Sequence, residues 1–119
     1  MTGIQLPVNT TIGKGLRFAH FSCIIINENS ILGDNVTIFQ GVTIGSMRGK
    51  GCPEIGNNVV IAAGAKIIGK VTVGSNVFIG ANAVVVKDVP DGAVVAGNPA
   101  KILNMNGEKY VSLYNTVYE

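Results

Sequence analysis

From Ile55 to Val85, every sixth residue of the chain is Ile or Val: Ile55, Ile61, Ile67, Val73, Ile79 and Val85. In four of the six cases the next residue is small (Gly56, Ala62, Gly74 and Gly80). A period of six fits neither an amphipathic helix nor a simple alternating strand. It is the signature of a parallel β-helix, in which each hexad supplies one short strand and one corner. The aliphatic side chain is expected to point into a narrow prism. The small residue is expected to let the backbone turn. The same beat starts earlier, in one phase through Leu6, Ile12, Phe18 and Ile24. It slips by two residues and continues through Ile26, Leu32, Ile38 and Ile44, then slips by five before Ile55. Three hexads make one triangular turn, so the repeats predict an all-β column of about five coils, stacked roughly 4.8 Å apart.

The two slips are the irregular places in a regular column, and an insertion there must leave the surface. The first lies near His20 to Ile26. The second is Ser46-Met47-Arg48-Gly49-Lys50-Gly51-Cys52-Pro53-Glu54, a Gly-rich stretch expected to form an exposed loop. Loops carried on rigid repeats are where such scaffolds place function. The repeat fades at Val89-Pro90-Asp91-Gly92, and the segment from Val94 to Ile102 is expected to close the last coil. The chain thus divides into a β-helix domain over 1–103 and a tail over 104–119. In the tail, Tyr110, Leu113, Tyr114, Val117 and Tyr118 have spacings that suit a short helix, although Val and Thr also allow a strand.

Composition narrows the picture. A length of 119 residues suits one domain and one core. Val and Ile together number 30 and Trp is absent, which favours strands around a thin core. A net charge of +2, from scattered basic residues, gives no footprint for nucleic acid. No stretch approaches the length of a membrane span, and the first residues lack the pattern of a signal peptide. A cytoplasmic location is therefore expected, with Cys23 and Cys52 as free thiols. Neither cysteine has a CxxC partner, so no metal is expected.

The run His20 … Asn27-Glu28 … Gln40-Gly41-Val42-Thr43-Ile44-Gly45 … Ile61-Ala62-Ala63-Gly64-Ala65-Lys66 … Ala96-Gly97-Asn98-Pro99-Ala100-Lys101-Ile102 resembles the catalytic half of serine O-acetyltransferases. It is also similar to the sugar O-acetyltransferases of capsule and lipopolysaccharide assembly. The likeness covers about residues 3 to 103. It implies a left-handed β-helix, against the usual right-handed crossover. It implies a homotrimer with active sites between subunits, and acetyl-CoA as the donor lying along the outside of the coils. His20 matches the family's catalytic histidine. Gly45 and Ser46 match small residues beside the thioester, and Ala63 and Ala81 match small outward positions along the pantetheine. Lys87 and Lys101 lie where basic side chains meet the nucleotide phosphates. On the acceptor side stand Gln5, Glu28 and Cys52. Serine transferases carry an aspartate at the place of Gln5, a histidine at Cys52 and an arginine at Gly51. They also carry an N-terminal helical domain ahead of the repeats. These departures favour a sugar of surface polysaccharide over serine as the expected acceptor.

The chemistry asks little of a protein. A hydroxyl must lose its proton as it attacks a thioester, and a neutral imidazole does this near pH 7. Backbone N–H groups at a corner can hold the oxyanion. Coenzyme A then leaves as a thiol. What orients His20 is open: Gln5 can accept a hydrogen bond but cannot stabilise imidazolium as a carboxylate would, and Glu28 is a second candidate. Arg48 and Lys50 are weaker candidates for contact with the acceptor. Cys52 has no histidine near it in sequence and reads as an inert thiol. Two other functions share the coil. A γ-type carbonic anhydrase needs three histidines around zinc, and one histidine per chain argues against it. A non-catalytic trimeric scaffold, or a truncated partner of another acyltransferase, is the alternative reading.

Overall fold

The computed structural model describes residues 4–5, 10–19 and 23–117, with 4–5 and 116–117 given by their backbone alone. Their short strands wind in sequence around a triangular column. The first turn holds β1 (Ile4–Gln5), β2 (Thr11–Ile12) and β3 (Arg17–Phe18). The second holds β4 (Ile24–Ile26), β5 (Ile31–Leu32) and β6 (Val36–Ile38). The third holds β7 (Thr43–Gly45), β8 (Glu54–Ile55) and β9 (Val59–Ile61). The fourth holds β10 (Lys66–Ile68), β11 (Thr72–Val73) and β12 (Phe78–Ile79). A shortened fifth is made by β13 (Val84–Val85), a single bridge from Val73 to Val89, and β14 (Val94–Ala96). Three sheets result, one per side: β1-β4-β7-β10-β13, β2-β5-β8-β11, and β3-β6-β9-β12-β14 with β15 (Lys101–Asn104) added at its edge. The solenoid is a left-handed parallel β-helix.

The register records the slips. Phe18 pairs with Ile38, twenty residues on, so two residues are inserted between β3 and β4. Ile44 pairs with Ile67, twenty-three residues on, so five are inserted between β7 and β8. Elsewhere the step is eighteen, as for Ile61 and Ile79. A third slip of opposite sign is not evident in the sequence: Ile79 pairs with Val95, sixteen residues on, because the turn after β13 is two residues short.

The prism is filled as the six-residue beat predicts. Ile24, Ile26, Leu32, Ile38, Ile44, Ile55, Ile61, Ile67, Val73, Ile79 and Val85 are all at most 3% exposed. Ile24 and Ile26 both point inward, on either side of the exposed Ile25, so the phase changes inside one strand. A second inward row stands two residues before the first: Val36, Val42, Val59, Ala65, Val71, Val77 and Ala83. Each buried Ile or Val of these rows contributes about 1.5–3 kcal/mol of transfer free energy.

The small residues after the aliphatic row have a different role from the one expected. Gly56 does not make the turn. A Cβ there would lie 2.8 Å from the backbone of Gly74 on the next coil, so the position must be small for the coils to stack. The turn itself is made two residues later by an asparagine. Asn35, Asn58 and Asn76 stack at this corner with φ of 57°, 55° and 58°. Asparagine tolerates this left-handed conformation because its short polar side chain bonds locally.

The C-terminal end also differs from expectation. After β14 the chain turns through Gly97–Ala100, where Asn98-Pro99 is cis, and β15 returns antiparallel along β14. The closing element is thus a hairpin. The tail is helical, α1 (Gly107–Val117). It covers the outer face of the third sheet, where Phe39, Val60, Ala62, Phe78 and Val94 form a second apolar cluster with Val111. Tyr114 packs against Phe78 and Phe39 at ring-centroid distances of 4.8 and 5.7 Å. Buried Thr37 donates through Oγ1 to Asn115 Oδ1 at 3.2 Å.

Candidate active site

The outer face of the first sheet carries one row of neighbouring residues from coil to coil: Gln5, Ile25, Thr43, Lys66 and Val84. Two residues further along, Gly45 pairs with Ile68, while Asn27 N–H donates to the Ile44 carbonyl at 2.8 Å. Gly45 therefore lies between Asn27 and Ile68 with no side chain of its own. A Cβ placed on it would meet only the Thr43 methyl, at 3.9 Å. This leaves an open strip of backbone on an otherwise covered face.

Ser46, half-buried, leads from that strip into the five-residue insertion. The loop returns at Pro53, whose carbonyl accepts from Ile31 N–H at 3.1 Å, so Glu54 belongs to β8 rather than to the loop. Within it, Lys50 N–H donates to the Met47 carbonyl at 3.1 Å, and Arg48 and Gly49 take φ of 54° and 71°. Cys52 is half-buried, and its thiol donates to Asn27 Oδ1 at 3.2 Å. The same oxygen accepts from Asn29 N–H at 3.0 Å. Cys52 is thereby brought to the β4–β5 corner that also carries Glu28, which is exposed. Gln5 stands in β1 beside Ile25. His20 lies outside the described residues.

The remaining candidates sit elsewhere on the column. Ala63 and Ala81 occupy equivalent positions one coil apart, at the corner between the third and first sheets, and Asn82 N–H donates to the Ala63 carbonyl at 2.9 Å. Ala81 is exposed and Ala63 half-buried. Lys66 ties this corner down: its ammonium donates to the carbonyls of Gly41 and Gly64 at 2.7 and 2.9 Å. In the same corner Gln40 Oε1 is buried with no hydrogen-bond partner among the described residues. Lys87 and Lys101 come together at the C-terminal end, lining a cavity of about 310 Å³ with an apolar floor that includes Val85, Val95 and Ala100. The expected residues thus form three groups: Gly45, Ser46, Glu28 and Cys52 beside the loop, Ala63 and Ala81 at a corner, and the two lysines at the end.

The sequence reading missed Asn27 as the partner of Cys52, and it missed Lys70. A Cβ on Gly51 would fall 2.7 Å from Lys70 Cβ, so the loop backbone rests on the lysine stem. No pattern along the chain marks Lys70, because the contact joins the inserted loop to a residue of the next coil. Among the described residues no three His, Cys, Asp or Glu side chains gather in a way that could hold a metal ion. No described helix is long and apolar enough to cross a membrane.

Comparison with known proteins agrees with this architecture. Residues 53–87 match the family described as bacterial transferase hexapeptide (six repeats). The chain is similar to the serine acetyltransferase of Staphylococcus xylosus, with 46% identity over 91% of this chain and 51% of the relative. It therefore spans about half the length of the curated relatives it matches. Among solved structures it resembles a serine acetyltransferase in complex with CoA, with a TM-score of 0.76, 42% identity, and coverage of 80% of this chain and 40% of the other. It also resembles the Neisseria gonorrhoeae serine acetyltransferase in complex with serine, with a TM-score of 0.80, 41% identity, and coverage of 83% and 42%.

Proposed function

We propose, for a chain that belongs to the hexapeptide-repeat transferase family, that it transfers an acetyl group from acetyl-CoA to the hydroxyl of serine or of a closely similar small acceptor. The observation that carries this reading is the bare strip at Gly45, between Asn27 and Ile68, in a sequence 46% identical to a serine acetyltransferase. A thioester can lie against exposed backbone there without meeting a side chain. The donor then runs past the small residues Ala63 and Ala81 toward Lys87 and Lys101, whose charge suits the nucleotide phosphates.

In this reading His20 removes the acceptor proton as the hydroxyl oxygen attacks the thioester carbon. The tetrahedral oxyanion is held by backbone N–H groups, the C–S bond breaks, and the imidazolium returns its proton to the departing thiolate. The working form is a homotrimer in the cytoplasm, with sites between subunits. A sugar hydroxyl is the second reading. It is favoured by Gly51 and Cys52, which put two uncharged residues where serine transferases carry an arginine and a histidine. An assay for thiol release from acetyl-CoA, run with serine and with a panel of aminosugars and capsule sugars, separates the two acceptors. Absence of release with all of them, together with no thermal stabilisation by coenzyme A, would leave the non-catalytic scaffold as the better account.

A further inference from the structure

We infer that the cavity under the 46–53 loop is an anion-binding site, built to take a carboxylate or phosphate carried on a small, partly apolar body. The cavity has a volume of about 420 Å³. Its walls bring together Arg48, Lys50 and Lys70 over an apolar floor of Ile68, Val71 and Val86. Among the described residues no Asp or Glu lines it. Asp88, two residues from Val86, is already engaged by the backbone next to the floor: it accepts from Thr72 N–H at 2.9 Å.

Three like charges around one hollow repel one another, and that arrangement is relieved when an anion enters. The hollow is also preformed. The loop backbone at Gly51 rests on the Lys70 stem, and Gly51 takes φ of 112° to do so. Gly69, with φ of 94°, brings the next coil close to Met47, whose Cβ lies 3.6 Å from where a Cβ of Gly69 would stand. A side chain at either glycine is strained by that conformation, and at Gly51 it would also displace the Lys70 stem. The apolar floor is continuous with the strip described above, because Ile68 is the sheet neighbour of Gly45.

The site itself stands on this geometry; what the anion belongs to rests on the transferase reading. It is either the anionic group of the acceptor, a hydroxy acid or a sugar phosphate, or a phosphate of the donor.

The test has two arms. In the first, the full chain is titrated with inorganic phosphate while the backbone amides of Gly49, Gly51 and Gly69 are followed by NMR. These amides shift in saturable fashion, and the apparent Kd rises about fivefold for each of Arg48→Asn, Lys50→Gln and Lys70→Met. Asn suits the positive φ at position 48, and Met keeps a stem under Gly51, so the variants fold. Affinity also falls as NaCl is raised past physiological strength, because these charges are screened over about 8 Å. Absence of a saturable shift, or a shift indifferent to all three substitutions, overturns the site. This arm needs no turnover, so it is informative even where no acceptor is acetylated. In the second arm, thiol release is compared for serine against serinamide and for glucosamine against glucosamine 6-phosphate. A rise in acceptor KM in Lys70→Met, with coenzyme A binding unchanged, assigns the anion to the acceptor. Weaker coenzyme A binding with acceptor KM unchanged assigns it to the donor.

Discussion

The thiol of Cys52 and the side-chain oxygen of Asn27, 3.2 Å apart, tie the returning arm of the inserted loop to the corner after β4. A thiol is a weak donor, so the bond is worth little on its own. Its consequence is orientation. With Oδ1 accepting from both Cys52 and Asn29, the amide group of Asn27 is fixed and its NH2 is turned away from both partners. Cys52→Ser keeps a donor at this place, whereas Cys52→Ala removes it. The Ala variant is expected to lose no more than about 1 kcal/mol in chemical denaturation. Its acceptor KM is expected to rise while Cys52→Ser stays near the parent. Equal KM values for the two variants would detach the pair from acceptor binding.

Gly64 is a position where two constraints coincide. Its φ is +75°, and a Cβ would overlap the side-chain oxygen of Asn82 on the next coil. Gly64→Ala is expected to destabilise the fold by about 1–3 kcal/mol. The double variant Gly64→Ala with Asn82→Gly removes the overlap but leaves the backbone strain. It should recover part of the loss in thermal unfolding. Full recovery would mean that strain contributes nothing here, and no recovery would mean that the overlap is relieved by a shift of Asn82.

Much of this fold was legible because one chemical requirement repeats. A prism three short strands wide has room for one or two aliphatic side chains per side, so the rows through Ile61 and Val59 recur every six residues. The inserted loop was legible as a break in that beat. The corners were not, because the sequence reading assigned the turn to glycines such as Gly56, whereas Asn58 and its stacked neighbours adopt the left-handed conformation. A left-handed asparagine leaves no hydrophobic trace. The shortened turn after Val85 was hidden for a similar reason: Val89 takes over the inward row two residues early and preserves its chemistry. At the candidate site, Gly45 and Cys52 could be marked from resemblance. Asn27, which accepts from Cys52, and Lys70, which lies under Gly51, could not, since those contacts join residues 25 and 19 positions apart and depend on the register across the insertion. For the tail, periodicity alone left helix and strand balanced. The outward aromatic rings Phe39 and Phe78 decide it, because they offer a surface that an amphipathic helix can cover.

That covering is testable through Tyr114. Its ring closes the gap between α1 and the third sheet by packing on both phenylalanines. Tyr114→Ala is expected to cost about 2 kcal/mol, somewhat below a fully buried aromatic truncation because the residue is only half-buried. The loss should be local. Amide exchange is expected to speed up across Gly107–Val117 while the strands β9 and β10 keep their protection. Uniform acceleration through the whole column would instead make α1 part of the cooperative core.

The role proposed for His20 is separable from any role in folding. His20→Ala is expected to lower kcat for acetyl transfer by ~10²–10⁴, the usual effect of removing a general base. Coenzyme A should still raise the Tm of the variant, since the donor is held mainly by other residues. Unchanged turnover would remove His20 from the mechanism.

Ala81 offers the sharpest separation between a structural and a functional reason for a small residue. It is exposed at its corner, and nothing in the packing of the prism requires it to be small. A substitution at such a surface position usually changes stability by no more than about 0.5 kcal/mol. If the pantetheine arm lies along this corner, Ala81→Phe fills its path. The KM for acetyl-CoA is then expected to rise at least tenfold, a loss of about 1.4 kcal/mol in donor binding, while the Tm without ligand stays near the parent. Ala63→Phe at the equivalent position one coil earlier is a less clean test, because Ala63 is half-buried and packs against the second apolar cluster. Its substitution mixes a folding effect with a binding one. A donor KM indifferent to Ala81→Phe would move the donor off this corner and leave Ala81 as an ordinary surface residue.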